Sequence, residues 1–224
     1  GPGDGTQESP YLINNCVQLG EMNNDKAAHY ALFTDIDCSQ SKNWAEAING
    51  GYKGFYPVGS ADQPFTGSLD GRGHTISALY IDRVDDVSGE GPDDESNVGL
   101  FGFTNGATIE SLKLANTRVR GYRYVGGVVG RAQGTTIDDI EVNVGAVNNS
   151  TCTALQYCVW ARWGQFGGGV VGYASNSTLT NVKTGGPVKG SGVDIGGVAG
   201  HLDGSQIQNA SSSSRVDGGI YVGG

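Results

Sequence analysis

The chain has 224 residues, of which 39 are glycine and 17% are charged, and its formal net charge is −9. An acidic surface repels phosphate backbones, which argues against nucleic acid as a partner. No apolar stretch reaches the roughly 18–20 residues that a membrane-spanning helix needs, so no membrane span is predicted. Glycine at this density without a collagen period indicates many turns or closely stacked backbones.

The start of the chain differs in pattern from the rest. Residues 1–10 are predicted to be a tag or a disordered start, and residues 11–224 a single domain. Within it, residues 11–60 are predicted to form a cap, with a short helix that begins after Asn15 and a strand over residues 29–37. Such a cap would shield the open edge of the first repeat.

The four cysteines fall into two local pairs, separated by 22 and 6 residues. We predict the disulfides Cys16–Cys38 and Cys152–Cys158, which implies an oxidising compartment and hence an extracellular or cell-surface location. Four reduced, buried cysteines in a cytosolic protein are the alternative.

Internal repeats give the main structural signal. A glycine-rich motif begins at positions 98, 125, 167, 195 and 222, with spacings of 27, 42, 28 and 27, and the longest spacing contains a 15-residue insertion. A second motif keeps step with it and reads Thr108-Ile-Glu-Ser-Leu-Lys-Leu114 in its first clear copy. A third, shorter motif reads Arg118-Val-Arg-Gly121 and recurs twice.

Each motif is short and mostly alternates apolar with polar residues, which predicts one strand per motif. Three short strands in every 27–28 residues predict an all-β fold, a right-handed parallel β-helix (a three-sided solenoid) with a short N-terminal helical cap. Equivalent side chains would then stack, and Ile109, Ile137, Leu179 and Ile207 are predicted to form one interior ladder. Glycine is expected to supply positive φ and tight corners between the strands.

Two insertions interrupt the period. The acidic insertion, residues 82–97, contains Asp85, Asp86, Asp93 and Asp94 as candidate ligands for calcium, the one cofactor that we consider. A solvated acidic loop is the alternative. The aromatic insertion, residues 145–166, is predicted to be closed by Cys152–Cys158 and to display a ligand-binding site. Its proposed members are Tyr157, Trp160, Arg162, Trp163 and Phe166. A satellite core that covers the side of the solenoid is the alternative.

The segment Pro64-Phe-Thr-Gly-Ser-Leu-Asp-Gly-Arg-Gly-His-Thr-Ile-Ser-Ala-Leu-Tyr-Ile81 and the glycine-rich units that follow it resemble the GLUG-repeat family of bacterial surface proteins. The resemblance extends from about Tyr11 to Gly224. It implies a pectate-lyase-like β-helix and an extracellular, often adhesive, role, as in adhesins and the non-catalytic N-terminal part of immunoglobulin A metallopeptidases. The cysteines and the aromatic insertion depart from the family pattern.

We therefore predict an adhesin-type binding module for a glycan or an extracellular protein, and not an enzyme. One alternative is a structural stalk or filament unit that self-associates through an uncapped C-terminal end, since the chain stops within a motif and is expected to be a piece of a longer protein. Another is a polysaccharide hydrolase or lyase, which needs paired carboxylates. Its candidates are Asp70 with Arg72 and His74, and Glu110 with Asp138, Asp139 and Glu141.

Overall fold

A computed structural model describes residues 3–46, 51–84, 96–143, 158–161 and 166–223. These residues are mainly β, with an α-helix, α1 (Cys16–Glu21), and 3-10 helices at Met22–Asn24 and Ser39–Asn43. The strands in chain order are β1 (Tyr11–Ile13), β2 (His29–Leu32), β3 (Ile36–Asp37), β4 (Ser68–Asp70), β5 (Thr75–Ser77), β6 (Tyr80–Asp82), β7 (Asn97–Val98), β8 (Phe101–Asn105), β9 (Thr108–Ala115), β10 (Arg118–Gly121), β11 (Tyr124–Gly126), β12 (Val129–Gln133), β13 (Thr136–Asn143), β14 (Val159–Ala161), β15 (Phe166–Gly168), β16 (Val171–Ser175), β17 (Thr178–Gly190), β18 (Asp194–Gly196), β19 (Ala199–Asp203), β20 (Gln206–Gln208), β21 (Ser211–Asp217) and β22 (Tyr221–Gly223).

The described strands form three sheets, and the pairings between named strands are parallel. Sheet B contains β7, β11, β15, β18 and β22, sheet C contains β8, β12, β16 and β19, and sheet A contains the remaining strands. Each repeat contributes strands to sheets B, C and A in turn. Equivalent segments of neighbouring repeats therefore lie side by side, which satisfies their backbone hydrogen bonds.

The predicted interior ladder is confirmed by the register of sheet A. Ile109 pairs with Ile137, Ile137 with Leu179, and Leu179 with Ile207. Leu69 of β4 extends the ladder towards the N-terminus by pairing with Ile109. The side chains of the ladder from Leu69 to Leu179 are completely buried, whereas Ile207 in the outermost described repeat is only partly covered.

The second motif breaks its alternation at one residue in every copy, and the backbone explains this break. Ser111, Asp139, Asn181 and Asn209 adopt φ values of 51°, 51°, 54° and 50°, in the left-handed region. Asn and Asp tolerate this region better than most residues, because their short polar side chains bond locally. In addition, these side chains bond across neighbouring repeats: the Asn181 amide donates to the Asp138 carboxylate at 3.0 Å, and the Asn209 amide donates to the Asn181 side-chain oxygen.

The prediction that each motif forms one strand is wrong for the glycine-rich motif, because its copies turn the corner between two sheets. In the second copy, β11 ends at Gly126 and β12 begins at Val129. The glycines of this copy are not at positive φ, in contrast to Gly106 and Gly134 in the turns before β9 and β13. Their role is steric, because a Cβ at Gly126 would lie 2.1 Å from the Val129 carbonyl oxygen.

The N-terminal segment contains the predicted helix. The Asn15 side chain accepts a hydrogen bond from the Gln18 N–H at 3.0 Å and caps α1. Leu19 and Met22 are fully buried and belong to the same core as the repeats. The strand predicted over residues 29–37 is instead two strands, β2 and β3. They are separated by a corner at which the Asp35 carboxylate accepts from the Thr75 N–H at 2.9 Å.

The disulfide between Cys16 and Cys38 is confirmed and joins the first residue of α1 to the residue after β3. Replacing both cysteines by alanine should lower the free energy of unfolding by about 3 kcal/mol, because the unfolded chain regains the entropy of a loop of this length. Chemical denaturation of the variant and of the wild type under oxidising conditions measures the difference. As a control, addition of a reductant should destabilise only the wild type. A variant with the same denaturation midpoint as the oxidised wild type would contradict the prediction.

Candidate functional site

Two rows of outward-facing side chains lie next to each other on sheets B and C. In sheet B the row runs from Tyr124 through Phe166 to Asp194 and Tyr221. In sheet C it runs from Phe103 through Arg131 to Tyr173 and His201. The glycine-rich corners between the two sheets bring the rows into contact. We call the following set the aromatic patch: Phe103, Tyr124, Arg131, Phe166, Tyr173 and His201.

The rings of the patch form one connected cluster. Tyr124 stacks on Phe166 with ring centroids 5.4 Å apart and an interplanar angle of 9°, and Tyr173 stacks on His201 at 5.3 Å and 4°. Phe166 joins these two pairs through tilted or edge contacts with Tyr173 at 5.3 Å and His201 at 5.0 Å. Apart from Phe103, which is buried, the patch members are only partly covered.

A guanidinium group lies within this cluster. The Arg131 Cζ is 5.1 Å from the centroid of Phe103, 5.7 Å from that of Tyr124 and 5.8 Å from that of Tyr173. These are cation–π distances, which hold the charged group against the ring faces. Arg123 adds a second guanidinium over Tyr124 at 5.5 Å. The Phe103–Tyr124 end of the patch is therefore positively charged.

The opposite end of the patch carries carboxylates. The His201 Nδ1 is 2.7 Å from an Asp194 carboxylate oxygen, and the Tyr173 hydroxyl donates to Asp203 at 3.3 Å. Burial, and next the negative charge of Asp203, raise the pKa of Tyr173 above its ordinary value. Tyr173 therefore remains a neutral hydrogen-bond donor at physiological pH.

The structure places the two described members of the predicted aromatic site in different surroundings. Phe166 belongs to the aromatic patch. Trp160 lies on β14 in sheet A, in register between Arg120 and Lys189, and the Arg120 Cζ is 4.3 Å from its ring centroid. The other predicted members, Tyr157, Arg162 and Trp163, lie outside the described residues.

The surroundings of Trp160 are strongly charged. Asp82 accepts hydrogen bonds from Arg118 at 3.0 Å and from Arg120 at 2.8 Å. Burial lowers the pKa of Arg120, and the charge of Asp82 partly offsets this effect. One face of the Trp160 ring is thus used for an internal contact with Arg120, which leaves less of the ring for a ligand.

Several residues of the predicted metal site and of the second predicted disulfide lie outside the described residues. The candidate calcium ligands Asp85, Asp86, Asp93 and Asp94 lie outside the described residues, as does Cys152. Cys158 is buried immediately before β14. Over the described ranges, no three His, Cys, Asp or Glu side chains are grouped as they would be around a metal ion.

Three of the candidate hydrolase carboxylates lie in one external row of sheet A. Asp70 pairs with Glu110, and Glu110 with Asp138. Two of the three already accept hydrogen bonds from the protein: Asp70 accepts from the Arg72 N–H at 2.8 Å, and Asp138 accepts from the Asn181 amide. Glu141 lies in another row between Lys113 and Lys183. His74 contacts Asp35 at 3.1 Å rather than Asp70.

Sequence reasoning missed Tyr124, Arg131, Tyr173 and His201 as site residues. The available signal was the repeat itself. Tyr124 precedes Phe166 by 42 residues and Tyr173 precedes His201 by 28, which are the spacings of the motifs. Aromatic side chains at the same position of successive repeats are expected to stack on one face.

No family model matches the chain. It is 36% identical over 142 residues to halomucin of Haloquadratum walsbyi, an alignment that covers 59% of this chain and 1% of halomucin. It is 28% identical over 149 residues to a "Putative Gly-rich membrane protein" of Evansella cellulosilytica, covering 64% of this chain and 15% of that protein. The chain thus spans only a small part of either relative.

One solved structure is similar in fold. The crystal structure of a "putative immunoglobulin A1 protease" from Bacteroides ovatus superposes with a TM-score of 0.57 and 20% sequence identity, covering 96% of this chain and 69% of that chain. At this identity the likeness shows the fold alone. Among the helices of the described ranges, none is both long and apolar enough to cross a membrane. The chain is therefore a mainly β protein with parallel sheets and a fold like that of the Bacteroides protein.

Proposed function

We propose that this chain is a right-handed parallel β-helix of the GLUG-repeat type, a module of an extracellular surface protein that binds a glycan or protein ligand through the aromatic patch. The three parallel sheets with a period of 27–28 residues support the β-helix. The Cys16–Cys38 disulfide is compatible with an extracellular location. The names of halomucin and the Gly-rich membrane protein are also compatible with a surface protein.

The observation that carries the binding proposal is the arrangement of partly covered rings in two adjacent rows. Tyr124, Phe166 and Tyr173 are held by strands that pair on both sides, so these three rings are pre-organised, and His201 lies on β19, which pairs with β16 at the outer side of the described sheet. Aromatic rings contribute a large contact area at a low cost in conformational entropy, which is why they dominate binding surfaces. A loop surface of the same composition would lose more freedom on binding.

An array of glycans and extracellular matrix proteins, probed with and without calcium, tests the proposal. The wild type is compared with Phe166→Ala/Tyr173→Ala, and Tyr52→Ala is the control because Tyr52 is a 41% exposed tyrosine outside the patch. Each variant is first shown to be folded by circular dichroism. We expect the double variant to lose binding and the control to keep it. Binding that survives in the double variant, or an array without any signal, would contradict the proposal. If binding requires calcium, this would support the acidic insertion as a metal site.

A structural unit that associates with itself is the second candidate. It is favoured by exposed apolar side chains at the outermost described strand of sheet B: Ile220, which precedes β22, is 72% exposed, and Tyr221 and Val222 of β22 are 66% and 49% exposed. Unpaired strand edges with apolar side chains readily pair with another chain. Sedimentation over a range of concentrations should then show oligomers that Val222→Lys disrupts, whereas a monomer at all concentrations would exclude self-association of this chain.

A further inference from the structure

Arg131 is an unusual arginine for this protein. Arg118 and Arg120 bind Asp82, and Arg72 lies 3.8 Å from Asp70. Arg131 contacts only ring faces, and within the described residues its guanidinium has neither a hydrogen bond nor an ion pair. Its Nε is buried without an acceptor. The guanidinium is thus held against ring faces with no protein acceptor among the described residues.

Such a group has a clear chemical preference. A guanidinium is always charged and presents its donors as a planar fork that matches two oxygens of a carboxylate or a sulfate. An anionic ligand would give the accessible N–H groups charge-assisted hydrogen bonds, which are stronger than neutral ones. The rings of Phe103, Tyr124 and Tyr173 already hold the fork, so little freedom is lost when an anion binds.

The neighbouring rings favour a sugar as the carrier of this anion. Tyr124 and Phe166 follow each other along the direction in which the strands stack, as do Tyr173 and His201. The two rings of each pair cover part of each other's faces, so a ligand that lies along the rows meets the ring surface left exposed, which recurs from one repeat to the next like the units of an oligosaccharide. At the other end of the patch, the Asp194 and Asp203 carboxylates are acceptors of the kind that bind hydroxyl groups.

We infer that the aromatic patch binds an acidic glycan, with sugar rings on the aromatic side chains and a carboxylate or sulfate group on Arg131. The inference rests on the proposed binding function and specifies its ligand class. The chain as a whole carries a net charge of −9 and repels anions at long range. Binding therefore depends on the local contact at Arg131 and should weaken as salt is added.

Calorimetric titration with three matched tetrasaccharides tests the inference. The probes are tetragalacturonate, its fully methyl-esterified form and a sulfated galactan tetrasaccharide. We expect at least one acidic probe to bind about tenfold more tightly than the ester, which is the size of effect that a charge-assisted hydrogen-bonded pair produces. The preferred acidic probe distinguishes a carboxylate from a sulfate.

Three variants identify the group that recognises the anion. Arg131→Gln should abolish the preference for the acidic probe, and Arg131→Lys should also reduce it because lysine keeps the charge but lacks the planar fork. Arg215→Gln makes the same charge change on β21, in sheet A, and should leave the preference intact. Equal affinity for the acidic and esterified probes, a preference that survives in Arg131→Gln, or no binding of either acidic probe would overturn the inference. Binding of the same protein to a neutral glycan or a protein would still support the proposed function.

Discussion

Gly126→Ala should destabilise the protein by about 3 kcal/mol or more, although it adds a single methyl group. A Cβ at this position would lie 2.1 Å from the Val129 oxygen, 2.7 Å from the Val170 oxygen and 2.8 Å from the Gly172 nitrogen. All three are backbone atoms, so no side-chain rotation relieves the clash. The corner between sheets B and C would have to open.

The matched control for this substitution lies in the same row of sheet B. Gly126, Gly168, Gly196 and Gly223 are in register, and a Cβ at Gly223 would meet no atom within 4 Å. Gly223→Ala should therefore change stability by less than about 0.5 kcal/mol. Guanidinium unfolding of both variants measures the two effects. Equal losses of stability in Gly126→Ala and Gly223→Ala would contradict the close approach of the backbones at Gly126.

Ile137→Ala should cost about 3–4 kcal/mol, because it removes a completely buried side chain from the middle of the sheet A ladder. The neighbours Ile109 and Leu179 belong to strands that pair on both sides, so they cannot move in to fill the cavity. Ile207→Ala makes the same substitution in the outermost described repeat, where the side chain is only partly buried, and should cost about 1 kcal/mol. The same unfolding experiment compares them, and a larger loss for Ile207→Ala than for Ile137→Ala would contradict the stacking.

The repeats were predictable from the sequence because each structural position recurs. The ladder of Ile109, Ile137, Leu179 and Ile207 follows directly from aligning four copies of one motif. The corner inside the glycine-rich motif was not predictable in the same way. Both a positive φ and a close backbone approach select glycine, and the sequence looks the same in the two cases. The structure distinguishes them: Gly134 has φ 55°, whereas neighbouring backbone atoms leave no room for a Cβ at Gly126.

The candidate site was harder to predict than the fold. The insertion that contains Trp160 has a high local density of aromatic residues, which predicts a site there. In the described part of that segment, Trp160 lies against Arg120, and Phe166 lies against other rings. The aromatic patch is assembled from residues that lie far apart in sequence, such as Tyr124 and His201. Its contacts depend on which face of each strand points outward and on the angle between sheets B and C, and neither can be read from spacing alone.

The measurement that tests the central claim most directly is a titration of the strongest array ligand against three proteins: the wild type, Tyr173→Ala and Trp160→Ala. If the aromatic patch is the binding surface, Tyr173→Ala should weaken binding about tenfold or more, as expected for a central aromatic contact. Trp160→Ala should leave the affinity within about twofold, because its ring contacts Arg120 in sheet A, outside the patch. Loss of binding in Trp160→Ala together with unchanged affinity in Tyr173→Ala would contradict the account and move the site to the aromatic insertion.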